Sequence, residues 1–266
     1  MAVEISASTG ALYPGLPPAP ACSAAVADGF TAVEFWAIPE HEVRDVEQVV
    51  TSAGLAVTSI NAGTGEAPDD FGLLGIPDAL TAWRQAFLDS LDVARRLHAR
   101  GINLLVGGRV TGSTRSAQLE CVRRNLDWCL TRLAPGDPVL LIEPLNGADR
   151  RSPLVRSVAD AAAVLDSVGS PPELGMLFDA YHLFQEEPDL HEAFDRARPR
   201  HVQLADHPGR GEPGTGTLPV ADFVRHVLAS GYDGWLGCEF TPSGPGAVAP
   251  ARQALAGMLT RVEAAS

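Results

Sequence analysis

The chain has 266 residues, 45% of them hydrophobic, and a formal net charge of −13. That length can bury a large core, and the acidic balance repels the phosphate backbone of nucleic acid at long range. No apolar stretch reaches the roughly 20 residues of a membrane helix, MAVEISASTG at the N-terminus lacks the basic and apolar regions of a signal peptide, and the absence of lysine excludes Schiff-base, pyridoxal-phosphate and P-loop chemistry.

Apolar runs of strand length alternate with amphipathic segments along the whole chain. VEISAS (3–8) comes first, followed by a weakly patterned segment near 18–28. AVEFW (32–36) precedes a helical pattern over 40–53, and AVTSIN (56–61) precedes one over 78–99. INLLVG (102–107) is followed by 116–134, VLLIE (139–143) by 154–168, and LGMLFD (174–179) by a weaker segment at 189–197. HVQLAD (201–206) leads to 219–229, and GWLGCEF (234–240) to 247–264. Eight apolar strands, each followed by a helix, predict a parallel sheet covered by helices, and the length fits a single (β/α)8 TIM barrel domain over 1–266. A doubly wound open sheet is the alternative, but no GxGxxG follows the first strand.

The four cysteines, Cys22, Cys121, Cys129 and Cys238, are scattered and form no close CxxC pair. They read as thiols of a reducing compartment, so a cytoplasmic location is expected. Cys121 and Cys129 share a predicted helix and are read as core. Cys238 alternates with Glu239 and should face the helices.

The longest loops, 62–75 and 207–218, follow strands 3 and 7, on the C-terminal side of the strands where barrels keep their chemistry. The first is acidic and reads as a lid.

Polar residues at the strand ends converge on the barrel axis. Strand 2 supplies Glu34, strand 3 Asn61, strand 5 Glu143, and strand 6 Asp179 followed by His182. Strand 7 supplies Gln203 followed by Asp206, His207 and Arg210, and strand 8 supplies Glu239. Three carboxylates near one axis repel each other, and their burial without counter-charge is costly. A divalent cation resolves the conflict; with an amide oxygen from Gln203 the donors are all oxygen, which suits Mg²⁺ or Mn²⁺. Arg210, on a loop at the mouth, could clamp an anionic group, and Arg109 is an outside candidate for substrate contact. His41, His98, His191 and His226 fall in or beside predicted helices and are read as non-catalytic.

At these residues the sequence resembles the hydroxypyruvate isomerase family, within the xylose-isomerase-like barrels. The matching stretches are GFTAVEFW (29–36), LLIEPLN (140–146), FDAYH (178–182), HVQLADHPGRGEPGTG (201–216) and GYDGWLGCEF (231–240). The resemblance implies a divalent metal held by Glu143, Asp179, Gln203 and Glu239. It implies Glu143 and Glu239 as the catalytic acid–base pair, and His182 and Arg210 as substrate contacts. Asn61 and His207, at the same mouth, are further substrate-binding candidates. Ketose epimerases of the group usually carry His where Gln203 stands. The implied reaction converts hydroxypyruvate to 2-hydroxy-3-oxopropanoate through an enediolate.

Two departures bear on the substrate: Thr217 replaces the acid of the usual GTGEI, and Phe184 stands where Gln is usual after FDxYH. An isomerase or 3-epimerase of a related sugar or sugar acid, such as a 2-oxo-tetronate, is the alternative. An inosose-dehydratase-type lyase and a non-catalytic binding protein come after it. The expected partner is a small hydroxy-keto acid or sugar, without nucleic acid or membrane, and homo-oligomerisation is left open.

Overall fold

The computed structural model describes residues 3–64 and 71–263. Eight parallel strands close into a barrel in sequence order: β1 (Glu4–Ser8), β2 (Ala32–Phe35), β3 (Ala56–Ala62), β4 (Gly101–Leu104), β5 (Val139–Ile142), β6 (Leu174–Asp179), β7 (His201–Leu204) and β8 (Trp235–Cys238). Every expected strand forms. Several stop short of their apolar runs, because the chain leaves the ladder to enter the loops of the C-terminal mouth. The closing register pairs Ile5 with Leu236 and Ala7 with Cys238.

Helices cover the barrel, among them Val43–Ala53, Leu80–Arg96, Arg115–Leu130, Val220–Ala229 and Val248–Glu263. The two weakly patterned segments are also helical, at Pro18–Ala27 and Leu190–Ala197. The expected helix over 154–168 begins only at Val158. Ser157 is its N-cap, accepting from the Asp160 amide at 3.1 Å. Two short helices were not foreseen, Thr9–Leu12 and Ala180–Phe184. The second matters for the site: the Asp179 carboxylate caps it by accepting from the Tyr181 amide at 2.9 Å, and its first turn carries His182.

The apolar core lies between strands and helices. Phe178 packs against Phe194 and Phe223 with ring centroids 5.5 and 5.6 Å away. Trp83, Phe87 and Trp128 form a second aromatic group. All four cysteines are free and buried, Cys121 and Cys129 together on the Arg115–Leu130 helix.

The barrel interior is polar instead. Ser6, Ser8, Glu34, Ser59, Asn103, His201 and Gln203 are all buried. The Glu34 carboxylate lies within hydrogen-bond reach of His201 Nε2 at 2.6 Å, and accepts from Gln203 Nε2 at 2.9 Å and from the Thr58 hydroxyl at 3.3 Å. Room for it comes from β8: a Cβ on Gly237 would stand 2.7 Å from Glu34 Oε1.

Candidate active site

The strand ends open into a cavity of about 460 Å³ whose walls include Asn61, Glu143, His182, Arg210 and Glu239. Glu143 and Glu239 follow β5 and β8 directly, so each leaves its ladder pointing into the mouth. Asn103 on β4 donates from Nδ2 to Glu143 Oε2 at 2.7 Å and to Asn61 Oδ1 at 3.1 Å, tying both to the wall.

Arg210 sits among the acids. Its Nη2 is 2.7 Å from Asp179 Oδ2 and 2.9 Å from Glu239 Oε2, and its Nε donates to the Glu239 carbonyl at 2.9 Å. The guanidinium also lies over the Tyr181 ring, 5.1 Å from its centroid. The loop that delivers it is organised by Asp206, which is fully buried. Its carboxylate accepts from the amides of His207, Gly214 and Leu218 at 2.8, 2.8 and 3.0 Å. Gly216 is required where this loop closes on itself, since a Cβ there would meet the His207 carbonyl at 2.2 Å. Arg210 itself has φ +56, a left-handed backbone rare for a side-chain-bearing residue.

The electrostatics follow from burial. Glu143 is raised well above the ordinary glutamate pKa, first by desolvation and then by the neighbouring Glu239 and Asp179 carboxylates. Glu239 is raised too, again chiefly by burial, with Arg210 opposing. His182 is pushed down to about 4, mainly by burial, with Arg210 and Arg150 adding to it against Asp179 and Asp149. Donors press on the ring from both sides: the Asn146 side-chain nitrogen lies 2.7 Å from Nδ1 and Arg210 Nη1 lies 2.9 Å from Nε2. A neutral ring accepts at only one nitrogen, so the ring cannot bond both donors at once.

Glu143, Asp179 and His182 each offer a ligand atom, all within 4.8 Å of one another. Gln203 pairs in register with Asp179 on β6 and with Gly237 on β8. Its amide nitrogen is committed to Glu34, and its buried oxygen has no hydrogen-bond partner among the described residues. An amide oxygen in register beside Asp179, with Glu143 close to that carboxylate, adds to an oxygen-rich donor set that fits a hard divalent cation.

His207 is not part of the cavity wall. It packs against Tyr181 and Phe184, with centroids 6.2 and 5.7 Å away. Arg109 is exposed, its amide bonded to the Ser152 carbonyl at 2.9 Å. Glu34, read as a strand end at the mouth, lies beneath it. Of the 62–75 loop, residues 65–70 lie outside the described residues; the flanking Thr64 and Phe71 line the cavity.

Sequence reasoning missed several wall residues. Trp36 donates its indole N–H to Glu239 Oε1 and is 45% exposed at the rim. Asn103 was hidden inside an apolar run, where strand alternation would have shown it facing Asn61. Asp149 and Arg150 lie on the loop after β5, where only their position on a mouth loop could have flagged them.

A barrel of eight parallel strands agrees with comparison to known proteins. Residues 22–261 match the xylose isomerase-like TIM barrel family model, and the chain belongs to that family. Within it, the chain is 38% identical to a putative hydroxypyruvate isomerase of Streptomyces coelicolor, over 87% of this chain and 88% of the relative. It is 30% identical to the hydroxypyruvate isomerase of Escherichia coli, over 80% and 84%, and 30% identical to the 2-oxo-tetronate isomerase of Cupriavidus necator, over 83% and 85%. Among solved structures, a family 2 AP endonuclease from Brucella melitensis superposes with TM-score 0.88 at 23% identity, over 97% of this chain and 99% of that one. An L-ribulose 3-epimerase superposes with TM-score 0.81 at 19% identity, over 98% and 96%. At those identities the likeness is one of fold. Among the described residues no helix is long and apolar enough to cross a membrane.

Proposed function

We propose that the protein is an isomerase of small hydroxy-keto acids, with hydroxypyruvate as substrate and 2-hydroxy-3-oxopropanoate as product. The observation that carries this reading is the pair Glu143 and Glu239. Both are buried in one cavity and both are shifted toward neutrality, the range in which a carboxylate can both take and return a carbon-bound proton. The relatives named for this reaction and for 2-oxo-tetronate isomerisation, at 30% identity or more over most of their length, support the substrate class.

In this reading one glutamate removes a proton from C3 of hydroxypyruvate. The electron pair forms a C2–C3 double bond, giving an enediolate. The other glutamate protonates C2, while the C3 hydroxyl loses its proton and the C2 oxygen gains one, so no atom is lost. Glu143, Asp179, Gln203 and Glu239 would hold a divalent cation, Mg²⁺ or Mn²⁺ by the hardness of the oxygen donors. Such an ion would supply Lewis-acid stabilisation of the negative charge that develops on the substrate. Arg210 keeps Asp179 and Glu239 in position. Asn103 fixes the Glu143 carboxylate, and the neutral His182 stands beside Asp179 in the same wall. Four buried thiols support a reducing compartment, the cytoplasm.

The test is turnover of hydroxypyruvate, of a four-carbon 2-oxo-tetronate and of a six-carbon ketose, with Mg²⁺, Mn²⁺ and Co²⁺ supplied in turn. Conversion of the three- or four-carbon acid ahead of the ketose is expected. Preference for the ketose overturns the assignment in favour of an epimerase.

A further inference from the structure

We infer that Arg150 recognises the carboxylate of the substrate and so makes the cavity selective for 2-oxo acids over neutral sugars of the same length. This rests on the isomerase reading above and adds the group that reads the acid.

A small anion entering this cavity meets Glu143, Glu239 and Asp149 in its walls. Arg210 does not offset them for the substrate. Its Nη2 serves Asp179 and Glu239, its Nε serves the Glu239 carbonyl, and its Nη1 points at His182. A guanidinium has five N–H donors in a planar fork; these contacts take the Nε–H and engage both terminal nitrogens. They leave no paired edge for a second carboxylate.

Arg150 also lines the cavity. Its backbone nitrogen bonds the Asn146 carbonyl at 3.3 Å. Its side chain is exposed at the mouth and takes no hydrogen bond or ion pair among the described residues. The neighbouring Asp149 does not compete for it, being held by Asn146 Nδ2 at 3.0 Å. The loop presenting Arg150 is fixed at both ends. Asn146 rests on His182, the Gly147 amide donates to Glu186 at 2.7 Å, and Arg156 reaches the same carboxylate at 2.9 Å. Arg150 is also close enough to His182 for its charge to help keep that ring neutral. A guanidinium with no partner among the described residues, lining the same cavity as Glu143 and Glu239, has its planar fork available for bidentate carboxylate recognition.

The experiment compares wild-type protein with R150Q and R150K on two matched substrates, hydroxypyruvate and its neutral counterpart dihydroxyacetone. In parallel, pyruvate, which lacks the hydroxyl needed to isomerise, is titrated calorimetrically. R150Q is expected to raise KM for hydroxypyruvate and Kd for pyruvate by roughly tenfold, the scale of one charge-assisted contact. Its effect on hydroxypyruvate should exceed that on dihydroxyacetone by a similar factor, and R150K should recover part of the loss. Pyruvate binding that is undetectable in wild type, or equally tight in R150Q, overturns the assignment, as does an equal loss on both substrates. No turnover of hydroxypyruvate, with pyruvate binding that still depends on Arg150, overturns the isomerase reading and leaves the carboxylate contact standing.

Discussion

Gln203 donates from its amide nitrogen to Glu34 at 2.9 Å, and its buried amide oxygen has no hydrogen-bond partner among the described residues. The two residues lie on β7 and β2, across the barrel from one another, and Glu34 is held in turn by His201 and Thr58. The interior of the barrel therefore sets the orientation of a side chain that serves the mouth. If Gln203 is a metal ligand, as proposed, a partner behind it is expected to matter about 10–100-fold in affinity. Glu34→Gln is expected to weaken Mn²⁺ binding to EDTA-treated protein by about that factor, read by calorimetry without any turnover. Unaltered affinity would show that Glu34 does not orient Gln203.

Gly237 belongs to the same arrangement. A Cβ at 2.7 Å from one Glu34 oxygen and 2.9 Å from the other must push the carboxylate away from His201 and Gln203. Gly237→Ala should cost about 1–3 kcal/mol in urea unfolding, the range for overpacking a filled interior. A loss within error of zero would mean that the interior has slack at this point.

Glu143 and Glu239 are expected to act on turnover when the divalent ion is saturating. Glu143→Gln or Glu239→Gln keeps the shape of the wall but removes a proton acceptor, so kcat should fall at least about 100-fold. Stopped-time assays with saturating hydroxypyruvate read this directly. Near-wild-type kcat in either variant removes that residue from the proton-transfer pair.

The same two groups make stability depend on pH. Their folded-state pKa values lie above the ordinary glutamate value of 4.5, so the native state holds protons that the unfolded chain releases. Stability from this source is complete below 4.5 and declines as pH rises through the raised values. His182, depressed to about 4 from 6.5, acts in the opposite sense, but only below 6.5. From pH 6.5 upward the metal-free protein should therefore lose stability in denaturant titrations, and Glu143→Gln should flatten the decline. A rise over that interval would contradict the assigned direction.

Arg210 is the counter-charge of Asp179 and Glu239. Removing one partner from a buried ion group typically costs 3–5 kcal/mol, so Arg210→Gln should unfold at markedly lower urea. Added Mn²⁺ should restore more stability to this variant than to wild type, as the ion takes over the neutralisation. Equal gains in both would show that the acids do not depend on Arg210.

The barrel was legible in the sequence because each strand is an apolar run bounded by turn residues, as in LGMLFD and VLLIE, and because amphipathic spacing marks the helices between them. The acids of the mouth were legible for the same reason: an ionisable residue ending an apolar strand is conspicuous. The interior was not. Glu34 sits inside β2, one residue before its end, and only the closed register shows that it faces His201 and Gln203 below the cavity. Arg210 read as a free clamp because its partners come from strands 31 and 29 residues away. Arg150 carried no periodicity or motif, and its meaning depends on which other cations are already engaged.

The proposed proton transfer through the Glu143–Glu239 pair leaves an isotopic signature when hydroxypyruvate is converted in D₂O and C2 of the product is examined by proton NMR. The glutamate that protonates C2 exchanges its own proton with solvent beforehand, so deuterium is predicted at C2. Product carrying only protium there, or no conversion with any of the three divalent ions, would contradict the account.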